Sequence, residues 1–60
     1  MKLADILPVI NDCECVSIID QFGNRLFRCF RREILNRNIP DVYVTEIAID
    51  GSILIIEVRT

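Results

Sequence analysis

Two β-branched runs, residues 42–49 and 52–58, are separated only by Asp50 and Gly51. An Asp-Gly pair between alternating apolar residues is the strongest short-range hairpin signal, because glycine takes the positive φ that a tight turn demands. A two-residue type I′ turn at Asp50-Gly51 pairs Ile49 with Ser52, Ile47 with Leu54 and Thr45 with Ile56. One face of the hairpin is then Tyr43, Thr45, Ile47, Ile49, Leu54, Ile56 and Val58, the expected core. The other is Val44, Glu46, Ala48, Ile53, Ile55 and Glu57, which is half aliphatic. A one-sided antiparallel sheet turns a polar face to water. This second face does not, and that is the feature any reading of the chain must explain.

The period is also two between residues 13 and 30, where Asp20, Gln21, Phe22, Gly23 and Asn24 form a turn cluster. Pairing Asp20 with Arg25 places Val16 and Ile18 on one face with Phe27 and Cys29. Ser17, Ile19, Leu26 and Arg28 then share the other. A one-residue slip brings Arg28 beside Val16 and Ile18, so the first register is expected. Ahead of this hairpin, Leu3, Ile6, Leu7 and Ile10 fall at helical spacing. Pro8 lacks the N–H that a regular turn needs, so a short or kinked helix is expected there. Residues 31–38 read as a second short helix with Ile34 and Leu35 as its apolar patch. Asn38 suits the left-handed position after its last turn, and Pro40 stops it.

The chain thus reads as one α+β domain, residues 1–60, ordered α-β-β-α-β-β: an antiparallel sheet of two hairpins with short helices. At 60 residues such a domain buries only ~60% of its unfolded surface, so its core is marginal. Eleven Ile, five Val and five Leu exclude a solvated coil. The longest aliphatic run, Ile53 to Ile56, is far short of the ~20 residues of a bilayer span, so no membrane helix is expected. Asp5 and Pro8 interrupt any apolar signal region, which makes the cytoplasm the expected compartment and keeps Cys13, Cys15 and Cys29 reduced.

Little in the composition points to catalysis. Histidine and tryptophan are absent, and acid–base work near neutral pH then requires a strongly perturbed carboxylate or cysteine. The acidic pairs Asp12 with Glu14 and Glu46 with Glu57 read as solvated polar patches. Cys13 and Cys15 with the later Cys29 lack the two close pairs of a structural zinc site, so they read as small fillers of a reduced core. No enzyme activity, metal or cofactor is expected.

The charge pattern is more distinctive. Arg25, Arg28, Arg31, Arg32 and Arg37 stand against Glu33 alone, a net of +4 over residues 25–37. Residues 1–24 and 38–60 each carry −3, for −2 overall. Arginine favours planar contacts to carboxylate or phosphate, and Phe27 and Phe30 interleave with the stripe as on some nucleic-acid surfaces. The stripe has three readings: neutralisation of the acidic hairpins within the chain or between subunits, an acidic or otherwise complementary protein partner, or nucleic acid. The last lacks the overall positive field of non-specific DNA binders.

The N-terminal Met1, Lys2, Leu3, Ile6, Leu7, Val9 and Ile10 pattern, the Asp20–Asn24 turn and the closing aliphatic hairpin have a familiar layout. It resembles short uncharacterised proteins of phages and integrative elements of Gram-positive gut bacteria, from which Pro8 and the arginine-rich middle depart. The resemblance implies an accessory role and transfers no site residues. The expected function is a non-enzymatic, self-associating protein–protein interaction module, a homodimer joined through Val44, Ala48, Ile53 and Ile55. A small nucleic-acid-binding accessory protein using the arginine stripe, or a phage-encoded inhibitor of a host defence protein, are the alternatives.

Overall fold

The computed structural model describes residues 1–34 and 39–60. Leu35, Asn36, Arg37 and Asn38 lie outside the described residues, and with them the left-handed position expected at Asn38. Helix α1 (Leu3–Ile6) is one turn, continued by a 3-10 turn over Leu7–Val9. Pro8 explains the change: it cannot donate to the carbonyl an α-helix would offer it, and the backbone tightens instead. The Asp5 carboxylate accepts the Lys2 N–H at 3.2 Å, closing the first turn. The remaining elements are β1 (Cys15–Ile19), β2 (Arg25–Phe30), α2 (Arg31–Ile34), β3 (Tyr43–Asp50) and β4 (Ile53–Arg59).

The four strands form one mixed sheet in the order β2-β1-β4-β3. Each hairpin is antiparallel, but β1 and β4 meet in parallel, with Val16 opposite Leu54 and Ile18 opposite Ile56. The expected all-antiparallel sheet is therefore wrong at its central pair. The reason is compositional. β1 and β4 are the most continuously apolar strands, as strands covered by neighbours on both edges are. β2 and β3 carry Arg25, Arg28, Glu46 and Asp50 and take the edges, where charge discourages further pairing.

The first hairpin has the expected alignment from Cys15 to Ile18, with Ile18 opposite Phe27 and Ser17 opposite Arg28. A bulge between Ile18 and Ile19 then sets Arg25 opposite Ile19 and not opposite Asp20 as expected. Its turn is organised by Asp20, only 8% exposed. One carboxylate oxygen accepts the N–H groups of Phe22 at 2.9 Å and Asn24 at 2.8 Å. Burial alone would raise the carboxyl's pKa, but the bonds from Asn24, Phe22 and Gly23 outweigh it and hold the group below the ordinary carboxylate range.

The second hairpin turns one step later than expected. Asp50 pairs with Ile53, and Ile49 with Leu54, so Gly51 and Ser52 are the two loop residues. Gly51 has φ 64°, and among the described residues no non-glycine has a positive φ. That excludes type I′, which needs two, and fits a type II′ turn with glycine first. The resulting register differs from the expected one by two residues, so the side chains from the turn back to Glu46 keep their faces. Near the other end, a bulge between Val44 and Glu46 carries Val44 to the inner face, where it packs against the core.

Leu3, Leu7, Val16, Ile18, Ile34, Val42, Ile56 and Val58 make the core, all on the face covered by the helical segments. The cover does not reach the far end of β3. Ile47 and Ile49 share the inner face but are 42% and 76% exposed, so the expected core was drawn too long on this edge strand. Tyr43, opposite Arg59 beyond the bulge, is carried to the outer face and is 56% exposed. The start of β3 is held by the N-terminus. Leu3 N–H donates to the Val42 carbonyl at 2.9 Å and Val44 N–H to the Met1 carbonyl at 2.8 Å. Lys2 Nζ meets Asp41 at 2.9 Å, and hydrogen bonding to that carboxylate raises the lysine's pKa.

Candidate functional site

Because strand side chains alternate between faces, the inward set leaves a regular outward set, which the pairings align in three rows across the sheet. Cys15 stands between Phe30 and Ile53, with Asp50 beyond. Ser17 stands between Arg28 and Ile55, with Ala48 beyond. Ile19 stands between Arg25 and Glu57, with Glu46 beyond. The middle strands thus supply Ile19, Ile53 and Ile55, half-buried, together with Glu57, while Arg25, Arg28, Glu46 and Asp50 stand on the edge strands.

Two shallow grooves cross this face, lined among the described residues by strand residues. One of about 220 Å³ lies between Ile19, Ala48 and Ile55 and the carboxylates of Glu46 and Glu57. The other, of about 260 Å³, runs from Ser17 and Ile53 to Arg25, Arg28 and Asp50. Glu46 and Glu57 are directly opposed across β3 and β4. The Thr45 hydroxyl, in the bulge, donates to the Glu57 carboxylate at 2.9 Å and holds it toward β3. The sheet therefore carries Arg25 and Arg28 along its β2 edge and the carboxylates Glu46, Asp50 and Glu57 on its β3 side, with Arg59 beyond Glu57 on β4 and an aliphatic band between.

The residues expected to form the partner surface divide accordingly. Ala48, Ile53 and Ile55 lie on the outer face as expected, whereas the bulge removes Val44 to the core side. Ile19 belongs with the outer set, joined to it by the parallel β1–β4 pairing. That pairing could not be read from either hairpin alone.

The arginine stripe does not stay together. Arg25 and Arg28 line the outer groove. Arg31 is 9% exposed, pairs with Asp12, and donates its N–H to the Glu14 carbonyl at 2.9 Å. It is a tether between the start of α2 and the segment before β1, not part of a surface. Its Nε–H has no acceptor among the described residues. Arg32 lies over the Phe30 ring at 5.2 Å, a cation–π contact. Arg37 lies outside the described residues. Phe27 faces the core, so only Phe30 shares the arginine-bearing face.

Cys13 is exposed before β1, Cys15 points outward and Cys29 packs on the core side. Among the described residues no three Cys, Asp or Glu side chains are placed to hold a metal ion. No helix among them is long and apolar enough to cross a membrane. No protein family, curated protein or solved structure matches the chain.

Proposed function

We propose that this chain is a non-enzymatic interaction module that self-associates as a symmetric dimer through the outer face of its sheet. One observation carries the reading: Ile19, Ile53 and Ile55 form the centre of a sheet face whose grooves are lined, among the described residues, by strand residues and by no helical one. A contiguous apolar surface rimmed by polar groups is the mark of an interaction site. The domain measures 26 × 25 × 17 Å, so a broad face is of the size that a standard interface takes from each partner, ~800 Å². Burying it would also enlarge a core that is marginal in a chain of this length. An accessory role in a phage or mobile element, in the cytoplasm, fits the pattern-level resemblance and needs no chemistry of its own.

A partner of nucleic acid is disfavoured by the division of the arginines, which leaves Arg25 and Arg28 on the outer face with Glu46, Asp50 and Glu57. The test is size-exclusion with light scattering at tens of micromolar, on wild type and on I53E/I55E. The reading expects a dimer that the double substitution dissociates into a folded monomer. An equally dimeric double variant would place the interface elsewhere. Late, salt-steep elution of wild type from heparin would instead support the nucleic-acid reading.

A further inference from the structure

The arrangement of charge on the outer face selects how two copies meet. We infer that the dimer axis runs parallel to the strands, so that Arg25 and Arg28 of each copy lie over the Glu46 and Glu57 side of the other. The inference rests on the self-association proposed above and goes beyond it by naming the orientation and the contacts.

A symmetric pair of stacked sheets has two simple choices of two-fold axis in the plane between them. With the axis along the strands, the strand order of the second copy is reversed while the three rows stay level. β2 of one copy then lies over β3 of the other. In the third row, Arg25 meets Glu46 of the second copy, and Ile19 meets Glu57, which lies one strand from Arg25 on one side and from the first copy's Glu57 on the other. In the second row, Ser17 meets Ile55, and Arg28 lies over Ala48, one row from Asp50 of the other copy. In the first row, Cys15 meets Ile53. The rows follow directly from the observed pairings.

With the axis across the strands, the strand order is kept and the rows reverse. Glu46 then faces Asp50 of the second copy, and Arg25 faces Phe30. Glu46, Asp50 and Glu57 of both copies then crowd one side of the interface, while Arg25 and Arg28 lie on the other. Like charges across an interface cost affinity, and complementary ones set register and partner. The sheets of a sandwich stack ~10 Å apart, a gap that two side chains span, and arginine is the longer of each pair and makes the planar contact to carboxylate. Its stem covers apolar surface on the way, which suits Arg25 and Arg28 beside Ile55 and Ile53. Thr45 already holds Glu57 by a hydrogen bond at 2.9 Å, so that acceptor is positioned before association.

Charge reversal reads the orientation. R25E/R28E and E46R/E57R are each purified and checked for a cooperative melt, then measured alone and mixed in equal amounts. Each alone is expected at 6.9 kDa, since like charges now face each other, and the mixture at twice that mass. Swapped variants that dimerise alone as tightly as wild type would overturn the axis while leaving self-association standing. A wild type that is only monomeric would overturn self-association itself. Salt supplies a readout without charge reversal. The wild-type dimer weakens as salt is raised, whereas R25Q/R28Q is a weaker dimer that salt does not weaken further, because what remains to be screened is repulsion among the carboxylates. A wild-type dimer indifferent to salt would also overturn the arrangement.

Discussion

Glu46 lies directly opposite Glu57 across the β3–β4 ladder, two carboxylates at one cross-strand position on the outer face. Like charges so placed destabilise a sheet by ~0.2–1 kcal/mol. In an isolated domain this opposition works against the fold. In the proposed dimer it is the acceptor side of the interface. The two effects have opposite signs and can be separated. E46Q should raise the stability of the dilute monomer by a few tenths to ~1 kcal/mol in urea while weakening the dimer. A variant that loses monomer stability would show that the opposition is relieved within the domain.

Gly51 sits at φ 64° with no heavy atom within 4 Å of where a Cβ would stand. A side chain there meets open space but a disfavoured backbone, so the cost is conformational, about 1–3 kcal/mol. G51A is expected to show much of the loss of G51V in denaturant unfolding. A tolerated alanine with a damaging valine would mean that crowding decides.

Asp20 makes the first turn sensitive to acid. Its carboxyl is held below its ordinary value in the fold, so its contribution is present above the unfolded pKa, ~3.9, and is lost as pH falls through the lower folded value. Wild type should therefore melt above D20N at neutral pH, and the gap should narrow as pH falls below ~4. A gap unchanged down to ~pH 2 would assign the turn's stability to its backbone bonds.

Cys13 and Cys15 report on association without any substitution. Cys13 is exposed before β1, and Cys15 stands in the first outer row beside Ile53. Raising the protein concentration should slow alkylation of Cys15, mapped by mass spectrometry, and leave Cys13 unchanged. Equal slowing at both would signal a different surface or general aggregation.

Much of this fold could be read locally. The Asp20–Asn24 and Asp50–Ser52 turns, the alternation of Val16 and Ile18 with Ser17, and the break at Pro8 are short-range signals, and each hairpin followed from them. The two-residue displacement of the second hairpin did little damage because it preserves parity. The bulge at Val44 did more, because one extra residue inverts the faces beyond it, and nothing in Tyr43, Val44 or Thr45 announces it. Which strands of the two hairpins become neighbours is a long-range choice. Its trace was the unbroken Ile53 to Ile56 run, legible as a strand with neighbours on both edges and apolar on both faces. The arginines look like one stripe in sequence, but the turn from β2 into α2 sends Arg28, Arg31 and Arg32 to three environments.

Self-association through the outer face is most directly tested by sedimentation equilibrium of wild type from one to a hundred micromolar at low salt. A mass rising with concentration from 6.9 kDa toward twice that value, and held at the lower value in I53E/I55E, is the predicted result. A single species of 6.9 kDa across the whole range, with a cooperative melt, would contradict it.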